Sequence, residues 1–139
     1  MRTIRGTDQH LTMMPLPELV VMLNRAAEQM PEDDMSHASW REYSRTSKHV
    51  RVRLSGHYGS ASDEELAGVL IMHLGTPSKQ RSGLAEVVAC LVEDELRSRY
   101  PEASEASDEA LARMDFTDPQ LDEYEYLWVL LRAARLFFC

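Results

Sequence analysis

The sequence predicts a mainly α-helical protein of five or six helices with one short β-strand, a strand open to pairing between subunits. Three observations carry that prediction. Apolar residues recur at three- and four-residue spacing through several segments. Helix-starting and helix-stopping residues bracket those segments. Only one stretch, 49–54, alternates strictly between apolar and polar side chains. The composition agrees with a globular chain. Its 139 residues are 44% hydrophobic and 27% charged, which excludes wholesale disorder, a collagen-like polymer and a disulfide scaffold.

The first helix is expected over 15–30, where Pro15 and Pro17 suit a helix start and Leu16, Leu19, Val20 and Leu23 form one apolar face. Pro31 and the acids Glu32, Asp33 and Asp34 end it. A short helix is expected over 36–45, carrying Trp40 and Tyr43. The strand follows as His49-Val50-Arg51-Val52-Arg53-Leu54, with Val50, Val52 and Leu54 on one face and His49, Arg51 and Arg53 on the other. Residues 56–60 read as a loop. Ser62 and Glu65 make a capping box for a helix over 63–74. Gly75-Thr76-Pro77-Ser78 stops it. A long helix is expected over 79–99 with the stripe Leu84, Val87, Val88, Leu91 and Val92, ended by Pro101. Ser104 or Ser107 is placed to cap a short acidic helix to Met114. Asp118 and Pro119 mark the start of a last helix, apolar nearly all round from Leu127 to Leu131 and so buried in a core or an interface.

Charge is unevenly placed. The net is −8, which argues against indiscriminate coating of nucleic acid or membrane. Yet Arg41, Arg45, Lys48, Arg51 and Arg53 face Glu42 alone over 41–57, while residues 102–125 hold nine acids against Arg113. Partners are therefore argued from segments. The basic stretch, with Trp40, Tyr43 and Tyr58, is a candidate for phosphate contact and base stacking. The N-terminal stretch has no long apolar core, so neither a signal peptide nor a spanning helix is expected, and the cytoplasm is the expected location. No pair among His10, His37, His49, His57 and His73 has helix-metal spacing, and Cys90 has no Cys neighbour, so no metal and no cofactor is implied. The acid pairs read as solubilising helix surface and no nucleophile elbow is present, so no enzyme is expected.

A lone strand leaves its edges unpaired, and one remedy is the same strand of a second copy across a two-fold axis. A strand so paired and followed by two helices resembles the ribbon-helix-helix family of DNA-binding proteins. The resemblance covers about 48–99: the strand His49–Leu54, the helix 63–74, the turn Gly75–Ser78 and the helix opening Lys79-Gln80-Arg81-Ser82. It implies a dimer whose paired strands enter the major groove of double-stranded DNA. His49, Arg51 and Arg53 would read base edges, while Ser78, Lys79 and Ser82 grip phosphate with Arg81 nearby. A two-stranded ribbon does fit the major groove, and Arg can bind guanine bidentately. Val50, Val52 and Leu54 would pack the dimer interface, to which Trp128 and Leu131 of the last helix would add.

The organisation expected is a helical extension over 1–46, a ribbon-helix-helix-like core over 47–100, and an acidic segment with the apolar helix over 101–139. The function expected is that of a sequence-specific DNA-binding homodimer from a bacterium or mobile element, acting in transcriptional regulation, plasmid partition or relaxosome assembly. The alternative is a small acidic inhibitor of the phage type. It would block a protein partner such as a nucleic-acid-binding complex through 102–125, with no membrane involved.

Overall fold

The computed structural model describes residues 10–29, 38–77 and 80–137. Among the described residues, a helical stretch over 10–13 is followed by six longer helices: α1 (Leu16–Gln29), α2 (Ala38–Gly59), α3 (Asp63–Leu74), α4 (Gly83–Arg99), α5 (Pro101–Ala112) and α6 (Glu125–Ala133). The protein is all-α. Among the described residues there is no β-strand.

The expected strand is thus corrected: His49–Leu54 lies inside α2. The physical reason is continuity. No Pro or Gly interrupts the chain from Ala38 to Ser55, so nothing stops the helix that begins before Trp40. A helix bonds its own backbone, whereas a lone strand must find a partner for its N–H and C=O groups. The helix also buries a consistent face. Ser39, Thr46 and Val50 are buried and lie within about 40° of one another at roughly 100° per residue. Val50 is 0% exposed and Val52 is 75% exposed, a difference that strand alternation forbids and helical rotation requires. Three hydroxyls that could compete with the helix are bonded back into it: Thr46 to the Glu42 carbonyl (2.7 Å), Ser47 to Ser44 (2.8 Å) and Ser55 to Val52 (3.0 Å). The expected loop at 56–60 is likewise mostly helix, since α2 runs to Gly59. With His49–Leu54 helical and no strand among the described residues, the ribbon-helix-helix core is lost, and so is the strand edge that called for a second copy.

The chain divides into two compact units, and the division passes through α2 and α4. The first unit takes the residues up to His57 and those from Ser78 to Val88. Its buried side chains include Leu11, Met14, Leu19, Leu23, Ala26, Val50 and Val87. Here Asn24 of α1 accepts a hydrogen bond from the Leu84 N–H (3.0 Å), satisfying a free donor at the start of α4. Ser82 caps the same helix by accepting from the Ala85 N–H (3.1 Å), so α4 starts at Gly83 rather than at 79.

The second unit takes Tyr58–Pro77 and the residues from Ala89 onward. Ser62 caps α3 as the capping box predicts, accepting from the Glu65 N–H (3.2 Å). Leu66, Leu70, Val92, Leu96, Leu127, Leu130 and Leu131 are buried. Helix α5 starts at Pro101, not at a serine; Ser107, an expected cap, is buried in mid-helix. It accepts from Arg97 Nη2 (2.9 Å) and donates to the Tyr126 carbonyl (2.7 Å). Arg97 also binds Glu93 (2.8 Å) and Asp108 (2.9 Å), so one guanidinium joins α4 to α5. The last helix starts at Glu125, later than Asp118 and Pro119 suggest. Three aspartates are spent on local turns instead, each accepting a backbone N–H two residues on: Asp115 from Thr117 (3.0 Å), Asp118 from Gln120 (2.9 Å) and Asp122 from Tyr124 (3.0 Å).

Candidate functional site

The helical course of 38–59 redistributes its charges. Arg41, Arg45, Lys48 and Val52 fall within about 60° of one another around α2, opposite the buried face. Arg41 and Lys48 are exposed and Arg45 is half-buried. Arg41, Ser44, Arg45, Lys48 and His49 line one shallow surface groove. Among the described residues, no carboxylate pairs with Arg41, Arg45 or Lys48. The Nε of Arg45 is buried and lacks an acceptor among the described residues. Arg41 and Lys48 are seven residues apart, about 10 Å along the axis.

The expected base-reading residues do not share a face. Half-buried His49 flanks the stripe on one side, and exposed Arg51 flanks it on the other. Arg53 turns towards the protein. Its Nη2 donates to the carbonyls of Leu11 (3.0 Å) and Thr12 (2.6 Å), tying α2 to the helical residues 10–13 that precede α1. Ser78 and Lys79 lie outside the described residues. Arg81 is half-buried, and the Ser82 hydroxyl is engaged as the α4 cap. Of the expected interface residues, Val50 is buried in the first unit, Leu54 is half-buried and Val52 is exposed. Leu131 is buried in the second unit, and Trp128 packs on Phe137 with ring centroids 4.9 Å apart. Trp40 and Tyr43 are half-buried and lie off the basic face, so stacking partners are not interleaved with its cations. Strand alternation does not bring Arg41, Arg45 and Lys48 together, whereas helical rotation does. The signal that reveals the face is the run from Ala38 to Ser55 without a helix breaker.

The fold also sorts charge. The first unit's full sequence carries ten basic and eight acidic residues, the second's five basic and fifteen acidic. On α5, Glu102, Glu105 and Glu109 are exposed and share one face. Within the second unit Asp63, Arg99 and Tyr100 form a closed cluster. Asp63 accepts from the Tyr100 hydroxyl and from Arg99 Nη1 (2.8 Å), and Arg99 also binds Glu95 (2.9 Å). The tyrosine hydrogen bond, then Arg99, holds the Asp63 carboxyl below its ordinary value, and the same bond pushes the Tyr100 phenol up. This cluster is spent on holding α3 to α4.

Among the described residues no group of three or more His, Cys, Asp or Glu could hold a metal ion, and no helix is long and apolar enough to cross a membrane. Comparison with protein-family models, with curated proteins and with solved structures finds no match to this chain.

Proposed function

We propose that the protein binds nucleic acid, without catalysis, through the outward basic face of α2. The observation that carries this reading is the stripe Arg41–Arg45–Lys48, unpaired by any described carboxylate in a chain of net charge −8. Cations on an acidic protein are normally neutralised by nearby acids. Here the second unit holds the excess acid and α2 holds the excess base. A row of cations with exposed Arg41 and Lys48 at its ends meets the phosphate backbone favourably because binding releases condensed counterions.

The test is titration of a labelled mixed-sequence duplex at several salt concentrations. Each phosphate contact contributes about 0.9 to the slope of log K against log salt. The Arg41→Ala/Lys48→Ala variant should therefore bind more weakly and lower the slope by about 2. Both residues are exposed, so its helicity should match wild type. No binding at low salt, or a variant indistinguishable from wild type, overturns the reading.

A second reading rests on the exposed row Glu102, Glu105 and Glu109 of α5. In it the second unit presents an acidic surface to a basic protein partner, which it blocks. A partner captured by wild type and lost with Glu102→Gln/Glu105→Gln/Glu109→Gln supports this reading, provided duplex binding is absent.

A further inference from the structure

The same face of α2 changes character along its length. Arg41, Arg45 and Lys48 occupy its first half. Val52, Ser55 and Gly56 occupy the second, and all three are exposed. Val52 is a large apolar side chain left 75% exposed in line with the cations. Gly56 sits in helical backbone, for no described glycine has positive φ. A Cβ added there meets nothing within 4 Å. Among the described residues neither the space around a Cβ nor the backbone conformation demands glycine at 56, although glycine inside a helix costs roughly 0.5–1 kcal/mol relative to alanine. Small residues around one apolar knob let another surface come close to the helix.

We infer that this surface is the major groove of B-form duplex DNA, and that Val52 meets a thymine methyl there; the inference rests on the nucleic-acid reading above. The cationic half suits phosphates at the groove edge. The smooth half suits the floor, where the thymine C5 methyl projects. The major groove is about 12 Å wide and admits an α-helix. The A-form groove of duplex RNA is too deep and narrow for side chains to read. Guanine readout is not built into this half of the face, because its base-facing positions lack donors other than the Ser55 hydroxyl, which already bonds the Val52 carbonyl.

The experiment compares the full chain on three duplexes of equal length: alternating dA-dT, alternating dA-dU, and the corresponding RNA. Uracil differs from thymine only by the methyl. Losing contact with one buried methyl should weaken binding about three- to fivefold. Wild type should therefore prefer the thymine duplex by that factor and bind the RNA duplex least. Val52→Ala should erase the thymine preference and keep the salt slope. Gly56→Leu should weaken both DNA complexes without loss of helicity. Salt-dependent binding with equal affinity for the thymine and uracil duplexes overturns the inference and leaves the nucleic-acid reading standing. So does a thymine preference that survives Val52→Ala, or RNA bound as tightly as DNA. No binding to any duplex overturns both.

Discussion

Gly83 and Gly56 should respond oppositely to the same substitution, and their surroundings set the signs. Gly83 opens α4 and is buried against α1. A Cβ at Gly83 would lie 3.0 Å from the Ala27 Cβ, 3.1 Å from the Leu23 carbonyl oxygen and 3.3 Å from Tyr43 Cε1. Carbon atoms pack comfortably at about 3.5–4.0 Å. Two of those three neighbours are a backbone atom and a Cβ, which cannot rotate aside, so α4 must move away from α1. Overpacking of this kind costs roughly 1–3 kcal/mol. The helix preference for alanine offsets at most about 1 kcal/mol of it. Gly83→Ala should therefore lose about 1–2 kcal/mol, whereas Gly56→Ala, with nothing within 4 Å, should gain about 0.5–1 kcal/mol. For a chain of this length 1 kcal/mol moves Tm by about 3–5 °C. Thermal and urea unfolding followed by far-ultraviolet circular dichroism measure both shifts. Gly83→Ala melting at or above wild type would refute the close approach of α4 to α1. Gly56→Ala melting below wild type would refute an open, helical site at 56.

Two further predictions concern the second unit. Ser107→Ala removes a fully buried hydroxyl and leaves the Tyr126 carbonyl and one Arg97 N–H without their partner. The expected loss is about 1–3 kcal/mol, read as a lower urea midpoint with faster amide exchange in α6; an unchanged midpoint would show that water replaces the hydroxyl. Tyr100→Phe should make stability less dependent on pH. The Asp63 carboxyl is lowered, so its contribution is present above the ordinary aspartate value of 3.8 and fades as pH falls through the folded value. The Tyr100 phenol is raised, so its contribution is present below its ordinary value of 10.0 and fades as pH rises through the folded value. Urea midpoints of wild type and Tyr100→Phe should thus differ most near neutrality and converge at both extremes, and a difference independent of pH would exclude this coupling.

The sequence is most legible where a local signal and the burial pattern agree. The apolar spacing of Leu16, Leu19 and Leu23 places α1, and the Ser62–Glu65 box places α3 to the residue. It is least legible where a residue type has two uses. Asp118 before Pro119 is as good a helix start as any in the chain, yet its carboxylate closes a turn onto Gln120. Ser107 looks like a cap from its polarity, yet it bonds across helices from a buried position. Arg53 looks like an outward cation, and the carbonyls of Leu11 and Thr12, some forty residues earlier, claim it. No local pattern encodes such distant acceptors.

The basic stretch displays the same division most sharply. Local composition is enough to establish a helical chain and to concentrate cations between Arg41 and Arg53. It does not say which way they point, because six alternating residues satisfy a strand and, equally, part of a long helix. That choice belongs to packing. A helix needs no partner for its backbone and puts Ser39, Thr46 and Val50 together in the buried face. Once those three are inside, rotation of about 100° per residue sends Arg41, Arg45, Lys48 and Val52 outward together.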